Sequence, residues 1–220
     1  MNSMNFKAKI IVSIFSLFLM ISSLKAQNTQ SLLSEVSNKV KSYENIQIDF
    51  KYSLENTREN VKQDTKANIT LKGDNYVLNM LGVTRIFDGK TIYTIVPEDE
   101  EVTISDYSKE EDKSISVSEM LTFYEKGYNY KMDIQQNIRG RKIQFIKLNP
   151  IDSNTEIKNI LLGIDMQTKH IYKLIQIDSS GTSYTITVNS FKTNQPISQN
   201  LFIFDEEKYV NQGYYINKLE

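Results

Sequence analysis

Residues 85–105 read RIFDGKTIYTIVPEDEEVTIS, two short apolar runs around an Asp-Gly step and then a cluster of acids. Asp88-Gly89 is a strong two-residue hairpin signal between VTRIF and TIYTIV. Pro97 to Glu101 falls between TIYTIV and EVTIS, where a connecting loop is needed. A metal or acid/base centre needs converging side chains, and Glu98, Asp99, Glu100 and Glu101 in a tight loop diverge into water. The stretch reads as part of an antiparallel β-meander with a solvated acidic tip.

The pattern extends in both directions. IQIDFKYSL alternates Ile46, Ile48, Phe50, Tyr52 and Leu54 with Gln47, Asp49, Lys51 and Ser53, the mark of a strand with one apolar and one wet face. After a polar segment from Glu55 to Asp64, short β-rich runs follow one another at turn spacings of roughly eight to twelve residues. They are KANITLKG, NYVLNML, VTRIF, TIYTIV, EVTIS, YNYKMDIQ, RKIQFIKLNP, IKNILLGID, HIYKLIQID, TSYTITVNSF and LFIFD. Two helices accompany them. Leu32, Leu33, Val36, Val40 and Tyr43 recur at helical spacing from Ser31 to Tyr43. SVSEMLTFYEKG opens with Ser116 and Glu119 in capping-box spacing, carries Val117, Met120, Leu121 and Tyr124 on one stripe, and stops at Gly127. The fold class is mainly β (α+β), about 11 strands in a large curved sheet with helices against one side.

Lys7 and Lys9 precede an unbroken apolar stretch from Ile10 to Met20, and Leu24-Lys25-Ala26 closes the segment. Residues 1–26 read as a cleaved signal peptide, since the apolar stretch is well short of the ~20 residues a spanning helix needs. Residues 27–220 then form a single domain. The whole chain has 26 basic and 27 acidic residues; without Lys7, Lys9 and Lys25 the net charge is −4, which argues against nucleic acid as a partner. The chain has no cysteine, so stability comes from burial and sheet hydrogen bonds, and no lipid-attachment Cys follows the leader.

No catalytic constellation emerges. His170 is the only histidine, no Gly-x-Ser-x-Gly elbow is present, and the eight glycines are scattered with no phosphate-binding loop. Neither a metal nor a cofactor is expected, and a hydrolase is the least supported class. What stands out is the apolar surface on one open sheet, which must close, split or be covered. Its concave face is either packed solid or left partly hollow for an apolar guest.

The order of elements resembles the LolA family of periplasmic outer-membrane lipoprotein carriers. The resemblance rests on the leader without cysteine, the helix running into IQIDFKYSL, LKGDNYVLNM, FDGKTIYTIVPEDEEVTIS, SVSEMLTFYEKG, and the closing IDMQTKHIYKLIQIDSSGTSYTITVNSF with FIFD. It implies a half-open antiparallel β-barrel with a lid helix over the concave apolar face. It also implies a monomeric carrier, exported to the periplasm, that accepts acylated lipoprotein from an inner-membrane ABC transporter and passes it towards the outer membrane, where an acceptor can exist. Strand parity under that resemblance assigns the acyl cavity to Phe50, Tyr52, Leu71, Leu78, Met80, Met120, Leu121 and Tyr124. The alternative on the same fold is a lipid- or lipoprotein-sensing module without transport. One departure is clear: many relatives carry Arg-Pro where this chain has Gly73-Asp74, leaving Lys72 or Arg85 as candidates for the arginine's role.

Overall fold

A computed structural model describes residues 28–107 and 121–219. Helix α1 spans residues 28–41. It is followed by β1 (Ile46–Asn56), β2 (Val61–Lys72), β3 (Asn75–Met80), β4 (Val83–Phe87), β5 (Thr91–Val96) and β6 (Glu101–Asp106). Beyond residue 121 come β7 (Tyr128–Ile138), β8 (Arg141–Pro150), β9 (Ile157–Asp165), β10 (Ile171–Asp178), β11 (Ser183–Thr193), α2 (Glu206–Asn211) and β12 (Tyr215–Lys218). Among the described residues these strands form one sheet in the order β12-β6-β5-β4-β3-β2-β1-β11-β10-β9-β8-β7. Its edges, β12 and β7, do not meet, so the curved sheet is a half-open barrel.

The opening stretch forms two turns of the meander. Asp88 accepts hydrogen bonds from the backbone N–H groups of Lys90 and Thr91 and from the Tyr93 hydroxyl, while Gly89 takes the positive φ of +98° that the turn requires. Burial pushes the Asp88 carboxyl up, but the accepted bonds outweigh it and hold the group below its ordinary value. Glu98, Asp99 and Glu100 lie exposed in the β5–β6 turn, closed by Asp99 N–H to Val96 O and Glu100 N–H to Pro97 O.

The β1–β2 hairpin runs through the polar segment from Glu55 to Asp64 and reverses only at residues 57–60, where the Asn56 side chain accepts from Arg58 N–H and Glu59 N–H. The expectation for the end of the chain is corrected. LFIFD is not a strand. It crosses the outer face of β3–β6, with Phe202 buried against Val77, Ile86, Ile95 and Val102, and Phe204 stacked on Tyr93 at 4.5 Å. The last strand is instead the four-residue β12, parallel to β6, too short and polar for its alternation to be distinctive. Most of the expected lid helix, including Val117 and Met120, lies outside the described residues. Its described end is a single 3₁₀ turn, Phe123–Glu125, followed by extended Lys126.

Helix α1 determines which part of the concave face is filled. Leu32, Leu33 and Val36 are buried against Ile146 and Leu148 of β8, Ile160, Leu162 and Ile164 of β9, and Ile171. Each such side chain contributes ~1.5–3 kcal/mol. The 3₁₀ turn is joined to the same helix: the buried Ser37 hydroxyl donates to Tyr124 Oη at 3.1 Å, and Lys41 pairs with Glu125 at 2.7 Å. Desolvation pushes the Tyr124 hydroxyl up to about 12. At the helix C-terminus, Tyr43 Oη bonds His170 Nε2 at 2.9 Å, and the imidazole stacks on Phe191 with ring centroids 4.0 Å apart.

Both halves of this joint are open to test. Tyr124→Phe removes the Tyr124 partner of the buried Ser37 hydroxyl, which keeps Glu125, and costs ~0.5–1.5 kcal/mol; the coupling between the two is read from a Ser37→Ala/Tyr124→Phe double-mutant cycle followed by denaturant unfolding. His170 has its pKa lowered from 6.5, first by desolvation and then by Lys39, against Asp165. Below 6.5 the unfolded chain therefore binds this proton more readily than the folded one, and stability falls as pH drops from 6.5 through the lowered folded value. His170→Gln flattens that part of the melting-temperature profile and leaves the region above neutrality unchanged.

Candidate functional site: an apolar hollow over the central strands

Cross-strand register places the concave side chains in transverse rows. The deepest runs Ile46, Leu71, Tyr76, Phe87 and Ile92 across β1 to β5, all buried. The second runs Phe191, Ile48, Ile69, Leu78 and Arg85. The third runs Val188, Phe50, Ala67, Met80 and Val83, and the fourth Leu174, Ile186 and Tyr52. Burial declines along this series: Phe50, Tyr52, Met80, Leu174, Ile186 and Val188 are all only half-buried. The rows surround an open hollow of about 360 Å³, to which Tyr107 and Leu121 also contribute.

Two register shifts shape the walls. One lies between Asp49 and Phe50 opposite β11, where Asn189 is skipped in the pairing; the other lies between Ile171 and Lys173 opposite β9, where Tyr172 is skipped. Bulges bend and twist a sheet locally. Helix α1 covers β8 and β9, but β1–β4 and the neighbouring parts of β10 and β11 keep their inner apolar side chains exposed to the hollow.

Phe50, Tyr52, Leu71, Leu78, Met80 and Leu121 are brought together around the hollow. Tyr124 is not: it lies fully buried in the core beneath α1. Met120 lies outside the described residues. Sequence reasoning omitted Ile48, Ile69, Tyr76 and Phe87, although the parity that selected Phe50, Leu71 and Leu78 puts them on the same face. It also omitted Leu174, Ile186, Val188 and Phe191, whose place depends on β1 pairing with β11 across more than a hundred residues of chain. Of the two candidates for the missing arginine's role, Lys72 is exposed at the end of β2, whereas Arg85 lines the hollow. Gly73 and Asp74 border a separate cleft of about 330 Å³ beside Val40, Tyr43 and Leu121.

Among the described residues no group of His, Cys, Asp and Glu is arranged to hold a metal ion, and no helix is long and apolar enough to cross a membrane. The chemistry of the hollow is that of a binding surface: a curved apolar wall, a few tyrosine hydroxyls and one guanidinium.

Comparison with solved structures gives an uncharacterized conserved protein from Thermus thermophilus, 9% identical, with a TM-score of 0.58 over 87% of this chain and 99% of that one. Lipoprotein LppX from Mycobacterium tuberculosis aligns with a TM-score of 0.48 at 15% identity, over 76% and 97% of the two chains. A LolA superfamily protein from Nitrosomonas europaea aligns at 0.43 and 13% identity, over 82% and 98%. A search of curated proteins finds no match. Residues 82–205, more than half of the chain, match the family described as outer membrane lipoprotein carrier protein LolA. With the half-open sheet and its hollow already in place, that match makes this chain a member of the LolA family.

Proposed function

We propose that the chain is a periplasmic lipoprotein carrier that shields acyl chains in the hollow between β1–β4 and β10–β11. In this reading residues 1–26 are the export leader and the rest is one domain. Cargo enters from an inner-membrane ABC transporter and leaves towards the outer membrane, without a reaction. The observation that carries the reading is an apolar hollow left open at the centre of a sheet whose other concave half is filled by α1.

The physical need for such a carrier is large. Exposing hydrocarbon to water costs about 0.8 kcal/mol per CH₂, or ~12 kcal/mol for a sixteen-carbon chain, so unassisted transfer is slow. The graded rows suit this task. The buried floor keeps its shape without ligand, while half-buried Phe50, Leu78, Met80, Leu174 and Ile186 gain further burial when a chain lies on them. Met80 supplies an unbranched, adaptable contact. A hollow of about 360 Å³ has room for roughly a dozen groups of the ~30 Å³ that a water molecule occupies in the liquid, enough for much of one acyl chain.

The test is native mass spectrometry of protein purified gently from cells, and of purified protein incubated with membranes holding lipoprotein and the cognate transporter. Acylated species bound to the wild type support the proposal, and bare protein under both conditions rejects it. Met80→Asp and Leu121→Asp, which place a carboxylate on the wall, are expected to abolish cargo uptake with melting temperatures within a few degrees of wild type. Ile203→Asp, on an exposed side chain outside the hollow, is expected to leave uptake unchanged.

A further inference from the structure

Burial along the hollow has a direction, and the side chains at its exposed end change in kind. Register carries the concave face one row past Leu174, Ile186 and Tyr52, to Gln176, Tyr184, Leu54 and Gln63. The floor row is buried throughout, whereas Tyr52, Leu54 and Tyr184 are half-buried and Gln63 is exposed. A mostly apolar surface thus gives way to amides and a phenol. Tyr52 and Tyr184 stand on adjacent strands, one row apart, near enough that the two phenols interact electrostatically. Burial first, and then Tyr184, pushes the Tyr52 hydroxyl up, so it remains a neutral donor. Neither hydroxyl has a hydrogen-bond partner among the described residues. Tyrosine hydroxyls set in apolar surroundings usually have one, and phenylalanine would build the same wall without them. No charge stands in either of these two rows, and Arg85, two rows deeper, already interacts within the chain.

We propose that Tyr52 and Tyr184 form the head-group end of the acyl site, donating to the ester oxygens of a guest whose hydrocarbon tail points towards the buried floor row. The inference rests on the hollow being the acyl site. Successive rows are two residues apart along a strand, so the first and fourth rows are ~20 Å apart. A zigzag of ~1.5 Å carbon–carbon bonds advances ~1.25 Å per carbon, so a sixteen-carbon chain covers about the same distance. In this orientation the methylenes meet the apolar rows and the carbonyl arrives where the hydroxyls stand. The reverse orientation carries the ester oxygens to the buried floor, where their lost hydration is not replaced, and leaves the tail among amides. Neutral donors suit a neutral acceptor. An ester-linked chain, as on a glyceryl group, is therefore favoured over a free carboxylate, whose charge finds no cation in these rows. Sites built to hydrogen-bond a guest discriminate against analogues that lack the matching group.

The orientation is read by nuclear magnetic resonance of the isotope-labelled wild type with methyl 5-doxylstearate and methyl 16-doxylstearate, which carry a nitroxide near the head and near the tail. The first is expected to broaden the amide signals of Tyr52 to Leu54 and Tyr184 to Ile186, and the second those of Tyr76 and Phe87. Interchanged or indistinguishable patterns overturn the proposed orientation and leave the lipid-binding reading standing; no broadening around the hollow with either ester overturns both. The hydroxyls are read by displacing the dye N-phenyl-1-naphthylamine with methyl dodecanoate and with dodecanoate. The Tyr52→Phe/Tyr184→Phe variant is expected to keep the wild-type melting temperature, since it breaks no hydrogen bond within the described protein. Its affinity for methyl dodecanoate is expected to fall about tenfold while that for the dye stays within about twofold. Equal losses for ester and dye, or no loss, overturn the role of the two tyrosines. Wild type is expected to bind methyl dodecanoate more tightly than dodecanoate, and the opposite order overturns the assignment to ester-linked chains.

Discussion

The pairing of β1 with β11 is the contact on which the architecture depends. It runs from Ile46 opposite Thr193 to Glu55 opposite Ser183 and joins two meanders, β1–β6 and β7–β11, into one surface. Its lower end is fastened by side chains. Asn45 donates to Gln195 O and accepts from Gln195 N–H, while Asn194 accepts from Glu44 N–H. These bonds tie the turn after α1 to the end of β11, so the helix enters the concave side at a fixed place. The hollow straddles this seam, with β2–β4 as one wall and β10–β11 as the other.

The same seam explains why the concave face is half core and half cavity. A fourteen-residue helix is about 21 Å long, enough to cover β8 and β9 and reach Ile46 through Val40. On the outside, Phe202, Phe204, Tyr209 and Tyr214 brace β3–β6, and Phe145 covers Gly163, where a Cβ would approach the ring to 2.9 Å. The walls of the hollow are therefore supported from outside and from the side, and no described element fills the space between them. In the proposed reading as a carrier, walls that keep their curvature avoid the cost of reopening a collapsed cavity at each loading.

Polar groups on this inner surface mark positions where packing alone does not account for the residue. Tyr124 and Ser37 satisfy each other in the core, and His170 is held between Tyr43 and Phe191. These contacts position α1. Arg85 differs in standing in the wall of the hollow itself.

Much of this was legible along the chain. Asp88-Gly89, the alternation of Ile46 to Leu54 and the helical spacing of Leu32, Leu33, Val36 and Val40 are local patterns, set by backbone geometry and by which face must be buried. They determined an antiparallel meander, an N-terminal helix, and apolar parity at Phe50, Leu71, Leu78 and Met80. Parity could not say which apolar residues form solid core and which line a void: Tyr124 and Leu121, three residues apart, end in different environments. It also could not bring Val188 and Phe191 opposite Phe50 and Ile48, place LFIFD across the outer face, or put Arg85 within the hollow. Those outcomes depend on contacts between residues far apart in sequence, and on how far one short helix reaches across a wide sheet. Only the tertiary structure decides them, because the volume left empty is a property of all the packed elements together and of no single segment.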